Sequence, residues 1–216
     1  GGNNDFSFYL PDLEIVVVDP HRPGDELAFY PGEVNFKRAD VIVINKMDTA
    51  EDSNIRLIKQ NIQACNASAV VIEARSPVFA EQGQSISGKR VMVVEDGPTL
   101  THGGMKYGAG TLAAKKYGAK EIVDPRPWLN GSLVDTFNKY PEIGNLLPAM
   151  GYGIDQIKDL EQTINASDCD LVVIGTPIDL TRVIDIQKPS VRVTYELEEV
   201  GTPNLETVLK PFLSPA

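Results

Sequence analysis

Residues 41–48 read VIVINKMD, four β-branched apolar residues followed by Asn, Lys, Met and Asp. A run that is apolar at every position, not at alternate ones, marks a strand covered on both faces, and the polar residues mark where it ends. Runs of the same kind recur as EIVVV at 14–18, AVVIE at 69–73, RVMVV at 90–94, EIV at 121–123, LVVI at 171–174 and VRVTY at 191–195. Between them, segments 52–65, 107–117, 131–140, 153–166 and 204–213 carry helical periodicity, as in Ile154, Ile157, Leu160 and Ile164. Strands alternating with helices predict an α/β fold with a mainly parallel sheet.

The 216 residues, 42% hydrophobic, suffice for one large core or two modest ones. The longest apolar runs are strand-sized, far below the roughly 20 residues of a membrane span. A formal charge of −10 and a pI near 4.7 argue against non-specific nucleic-acid binding and against acidic membranes. An anionic substrate therefore needs a local basic pocket. Cys65 and Cys169 stand far apart in polar contexts with no signal-peptide pattern, which predicts free thiols and a cytoplasmic setting. The polar connection SPVFAEQGQSISGK at 76–89 divides the chain into 1–88, with three of these strands, and 89–216, with four. Three strands are few for an open sheet, and the opening GGNNDFSFYLPD lacks a leading strand or methionine, so a fragment of a longer protein is expected.

The chemistry-bearing residues cluster at strand ends, where open α/β sheets place ligands. In VIVINKMD the outgoing loop carries Asn45, Lys46 and Asp48, and in VVIEARSP at 70–77 the next strand ends in Ala74, Arg75 and Ser76. A carboxylate such as Asp48 suits the donor pair on a guanine edge; the stretch resembles the base-binding loops of guanine-binding P-loop proteins, which implies that Lys46 covers the base and that the Ala74–Ser76 turn offers a backbone N–H group to it. The glycines of GGNNDFSF permit close approach to phosphate, and Asp5 is placed to orient magnesium or water. DPHRPGDEL at 19–27 brings His21 and Arg22 to a strand end as candidates for catalysis on a phosphoryl group.

EDGPTLTHGGMKYGAG at 95–110 offers Thr99, Thr101, Gly103, Gly104 and Lys106 as an anion cradle, with His102 as a catalytic candidate and Glu95 and Asp96 as metal ligands. Arg126, beside Asp124, and Arg182, beside Asp179, follow two further strands and are candidates for a carboxylate or phosphate. Each of these loops also reads as a tight turn with solvated charges. GQSISGKR at 83–90 matches GxxxxGK without the final Ser or Thr and precedes a strand, the wrong context for a P-loop.

The runs DPHRPGDELAFYPGEVNFKRADVIVINKMDTA, VEDGPTLTHGGMKYGAGTLAAKKYGAKEIVDPRP, LLPAMGYG and VVIGTPIDL resemble a family of predicted GTPases labelled cyclic 2,3-diphosphoglycerate synthetases. The order Gly-rich loop, EIVVVD, Arg-bearing loop, Pro-Gly and apolar strand is also similar, more weakly, to tetraacyldisaccharide kinases. The first resemblance implies the C-terminal part of a P-loop NTPase domain in 1–88, followed by a Rossmann-like, substrate-binding domain in 89–216. It also implies Mg²⁺ with GTP or ATP, and intramolecular phosphoanhydride formation on 2,3-diphosphoglycerate. The fragment alone is then expected to be inactive, with homo-oligomerisation open. A GTP-dependent switch or metallochaperone-like assembly factor is the alternative.

Overall fold

A computed structural model describes residues 10–101, 105–149 and 153–213, which form two compact units, one of Gly1–Pro77 with Glu196–Ala216 and one of Val78–Tyr195. The first unit is built on β1 (Ile15–Val18), α1 (Asp25–Ala28), α2 (Gly32–Arg38), β2 (Val41–Ile44), α3 (Asp52–Cys65) and β3 (Val70–Arg75). The three strands are parallel, with β2 in the centre and all four of its residues buried. In α3 the three- and four-residue spacing of Ile55, Ile58 and Ile62 turns one apolar stripe inward, where Ile58 and Ile62 pack with Phe36, Ile42 and Ile44. Asn66, just beyond α3, is buried, and its side-chain amide donates to Phe36 O (3.0 Å) and Ala39 O (2.8 Å). Carbonyls at the end of α2 thus find partners that water cannot supply there.

The second unit contains β4 (Val78–Ala80), β5 (Arg90–Asp96), α4 (Gly97–Thr101), α5 (Ala109–Lys116), β6 (Glu121–Ile122), α6 (Ser132–Lys139), β7 (Leu147–Ala149), α7 (Ile154–Ala166), β8 (Leu171–Ile174) and β9 (Ser190–Tyr195). Its sheet runs β4-β9-β8-β5-β6, with β7 pairing the C-terminal half of β5. The interior pairs are parallel, while β4 lies antiparallel on β9. Met92, Leu147, Ile164 and Ile174 lie in its core.

After β9 the chain returns to the first unit as β10 (Glu198–Glu199), antiparallel to β3, and α8 (Leu205–Leu213). Leu205 and Val208 of α8 pack on Val41, Val43, Ile72 and Ala74, the sheet face opposite α3. The expected α/β class holds, with mixed parallel and antiparallel pairing. The observed division differs from 1–88 and 89–216, because residues 78–88 carry Val78 and Ile86 into the second core and α8 covers the first sheet. Both cysteines are free. Among the described residues, no helix is long and apolar enough to cross a membrane.

Candidate functional site

In the first unit β1, β2 and β3 end side by side, and the loops that leave them meet at the C-terminal edge of the sheet. Lys46 Nζ donates to Asp19 Oδ2 at 2.7 Å, and Asp19 Oδ1 accepts from the His21 N–H at 3.0 Å. His21 Nε2 lies 2.9 Å from Thr49 Oγ1, and the Thr49 hydroxyl and N–H both approach Lys46 O, at 3.3 and 3.2 Å. Arg22 Nη2 stands 4.0 Å from Asp19 Oδ2. Burial of Asp19 pushes its carboxyl up. That effect is outweighed by the hydrogen bond and charge of Lys46 and by the His21 N–H and ring, so the carboxyl sits below its ordinary value.

Lys46 has a left-handed backbone, φ +57°, unusual for a side chain of its size and worth of order 1 kcal/mol or more. Asn45 Oδ1 accepts the Lys46 N–H at 2.8 Å and helps hold this conformation. A second clasp joins the loops after β2 and β3: Met47 N–H donates to Ala74 O at 3.1 Å and Ser76 N–H donates to Asp48 Oδ1 at 3.0 Å. The pieces expected to flank a base are therefore adjacent, but one Asp48 oxygen and the Ser76 amide are engaged with each other. Arg75 points elsewhere, 3.8 Å from Glu198.

Two further residues brace this edge. Glu26 is buried in α1, accepting from Gly24 N–H at 2.8 Å and from Asn61 Nδ2 of α3 at 2.7 Å, which anchors the far end of the His21–Arg22 loop. Thr49, Glu26 and Asn61 are the members that sequence reasoning missed. Asp19 is visible at its strand end, where the alternation of strand and charge points, but its ion pair with Lys46 is not. Thr49 carries no signal beyond one hydroxyl in a polar loop.

In the second unit Glu95, expected as a metal ligand, lies inside the protein with 1% of its surface exposed. Its Oε1 accepts from Gly108 N–H (3.0 Å), Thr111 N–H (2.7 Å) and Thr111 Oγ1–H (2.8 Å), and Oε2 from Gly110 N–H (3.2 Å). A protein carboxylate thus occupies the N-terminus of α5, a position that suits an anion. Burial pushes this carboxyl above its ordinary value, and the hydrogen bonds from Thr111, Gly110 and Gly108 offset only part of the shift.

Asp96 Oδ2 accepts from Thr99 N–H (3.3 Å) and Oγ1–H (2.9 Å), and Thr101 Oγ1 donates to Gly97 O at 2.9 Å. Lys106 is exposed. Asp5, His102, Gly103 and Gly104 lie outside the described residues. Arg126 Nη1 contacts Asp124 Oδ1 (3.0 Å), Oδ2 (3.2 Å) and Gly144 O (2.9 Å), while its guanidinium lies 5.1 Å from the Phe137 ring centre, so it binds its own unit together. Arg182 is 84% exposed and pairs with Asp179 at 3.2 Å. No group of three or more His, Cys, Asp and Glu residues is placed to hold a metal ion among the described residues.

Fold and site define an α/β protein with a charged, loop-built edge at the ends of three parallel strands. No family model matches the sequence. Over 212 residues, 98% of the chain, it is 61% identical to the protein named Arginine synthetase ArcE of Thermococcus kodakarensis. The match covers 47% of that relative, so the chain spans about half the length of the curated protein it matches. This finding overturns the resemblance to cyclic 2,3-diphosphoglycerate synthetases, and with it the GTPase reading, the 2,3-diphosphoglycerate substrate and the alternative of a switch or assembly factor. The physical reason the motif misleads is general: Asn, Lys and Asp at a strand end serve any ligand-binding α/β loop, and here Asp48 clasps Ser76.

Proposed function

We propose that this chain is one half of an arginine-forming synthetase, and that the edge built by Asp19, His21, Arg22, Lys46 and Thr49 handles the phosphates of a nucleoside triphosphate. The observation that carries the reading is the 61% identity with Arginine synthetase ArcE, maintained across nearly the whole chain. A synthetase couples bond formation to triphosphate cleavage. To make a C–N bond at a carbon bearing oxygen, phosphoryl or nucleotidyl transfer turns that oxygen into a leaving group, and a nitrogen nucleophile then displaces it. Catalysis of such a transfer rests on positioning and on stabilising charge.

The first unit supplies suitable parts. Lys46, Arg22 and His21 stand at the strand ends, where main-chain groups and cations meet ligands. The hydrogen bond to Asp19 holds the Lys46 ammonium at this edge. We read this unit as the portion of a P-loop-type nucleotide domain that lacks the glycine-rich phosphate loop, and the base as adenine or guanine. Magnesium fits as the ion carried by the triphosphate, which ordinarily keeps several waters and takes only one or two carboxylates. Asp19 and Asp48 are the carboxylates at this edge, the first already paired with Lys46 and the second holding Ser76 through one oxygen, whereas Glu95 is committed to α5.

The second unit is read as the substrate-binding part. Its chain leaves β5 for β6 and β7 on one side and returns to β8 on the other, and open sheets bind ligands at such a reversal, beyond the strand ends. The test is made on the full-length protein: arginine formation and triphosphate loss are measured together, with ATP and GTP in parallel. Arginine and spent triphosphate appearing in equal amounts support the reading. Triphosphate loss without arginine, or arginine without triphosphate loss, overturns it.

A further inference from the structure

β1 is the edge strand of the first sheet, and among the described residues it pairs with β2 alone. Its partner at the opposite edge of that sheet, β10, is short and acidic, Glu198–Glu199, as protected edges tend to be. β1, four residues long, carries no such charge. It reads Ile15, Val16, Val17, Val18, without charge, proline or bulge. Glu14 O and Val18 O accept from the N–H groups of Val41 and Asn45, so the strand's alternation directs the backbone of Ile15 and Val17 away from β2.

The side chains of those residues are unprotected as well. Val16 and Val18 turn to the α3 face and pack there, while Ile15 (39% exposed) and Val17 (58% exposed) face the side covered by α8. Leu205 and Val208 of α8 reach Val41, Val43, Ile72 and Ala74 of β2 and β3, but Ile15 and Val17 on the same face of β1 stay partly exposed. Parallel strands are ordinarily covered on both faces, so a parallel edge strand with one bare β-branched face is a sheet interrupted within its own pattern.

We infer that the edge and bare face of β1 are the docking surface for the other half of the synthetase, which adds a strand beside Ile15 and Val17 and an apolar element over them. The relative supplies the occupant: the match covers 47% of its length, so more than half of that polypeptide lies outside the region seen here. The inference concerns sheet completion alone and stands whether or not the edge at Lys46 binds triphosphate.

Hydrogen–deuterium exchange tests it by comparing this 216-residue chain with the full-length Thermococcus kodakarensis protein. In the isolated chain the peptide covering 13–19 is expected to exchange fast. In the full-length relative the corresponding peptide is expected to be slower by on the order of tenfold or more, while the peptide covering β2 is slow in both. Equal exchange at β1 in the two proteins overturns the inference. Protection of β1 in the isolated chain that rises with concentration also overturns it, by identifying a second copy as the occupant. As an independent arm, Val17→Lys in the full-length relative, at the matching position, is expected to lower its melting temperature, whereas the same change in this chain leaves its melting unchanged. Equal effects in both would count against docking at this face.

Discussion

Lys46 Nζ donates to Asp19 Oδ2 at 2.7 Å, joining the first residue beyond β1 to the second residue beyond β2. The contact spans two parallel strand ends and holds a cation at the edge of the sheet. Lys46→Met keeps most of the stem and removes the charge. In the full-length protein it is expected to weaken triphosphate binding by on the order of tenfold or more, the scale of one charge-assisted hydrogen bond to an anion. Stability should move by no more than about 1 kcal/mol, because the lysine is partly exposed. Calorimetric titration with triphosphate measures the first and denaturation the second; unchanged affinity would detach Lys46 from the ligand.

The same pair makes the protein sensitive to acid. The carboxyl of Asp19 is lowered in the folded state because, although burial raises it, Lys46 and His21 favour the charged form more strongly. Its contribution is thus fully present above the unfolded value of about 4 and is lost as pH falls through the lowered folded value. Asp19→Asn is expected to be less stable than the parent at neutral pH and to show a shallower loss below about pH 4. Parallel slopes in denaturant titrations at a series of pH values would mean that the pair adds nothing.

The strands legible in the sequence were those whose burial is written into every position, such as Val41–Ile44 and Leu171–Ile174. β4, β7 and β10 escape because they are edge or short pieces of two or three residues, defined by pairing and not by composition. The boundary at Pro77 escapes for a related reason. In a polar stretch that reads as a linker, Val78 pairs opposite Tyr195 and Ile86 is fully buried, so two sparse anchors outweigh the average polarity.

At the site, location was legible and partnership was not. Asp19, His21, Arg22, Asn45, Lys46 and Asp48 all follow apolar runs, and the strand-end rule finds them. Which oxygen accepts from which nitrogen depends on strand order. Glu95 shows this most sharply: in EDGP it reads as a metal ligand, yet Gly108 and Gly110, more than a dozen residues onward, turn their N–H groups onto it.

Glu95 makes the opposite prediction to Asp19. Burial raises its carboxyl in the folded state, and the hydrogen bonds from α5 only partly offset this. The associated stability is fully present below the unfolded value of about 4.3 and is lost as pH rises through the raised folded value. Glu95→Gln is expected to remove that slope. It also sets an amide N–H₂ against one of the backbone donors, so it should be less stable than the parent in acid. Glu95→Ala leaves the Gly108, Gly110 and Thr111 N–H groups without their acceptor and is expected to cost about 2–4 kcal/mol. Denaturant titrations across pH check both, and an Ala variant as stable as the parent would remove Glu95 from its place as the cap of α5.

Gly175 decides how closely β8 and α5 approach. A Cβ at this position would stand 2.7 Å from the Gly110 Cα and 2.7 Å from Glu95 Oε2. The first obstacle is backbone, which cannot swing aside as a side chain does, and the second is the carboxylate that caps α5. Gly→Ala in open space with a permissive backbone stabilises by about 0.4–1 kcal/mol, through the unfolded chain. Here it must instead drive α5 from the sheet, and Gly175→Ala is expected to cost about 2–3 kcal/mol, the usual scale of overpacking. Gly88→Ala separates this cause from conformational strain, since Gly88 has φ +71° and nothing within 4 Å of its would-be Cβ. It should lose only the left-handed penalty of about 1–2 kcal/mol. In a double-mutant cycle, the cost of Gly175→Ala measured in the Glu95→Ala background, where one of the two obstacles is gone, is expected to be smaller than in the parent but not zero, because Gly110 remains. A double variant as stable as Glu95→Ala alone would place the whole clash on the carboxylate and none on the helix backbone.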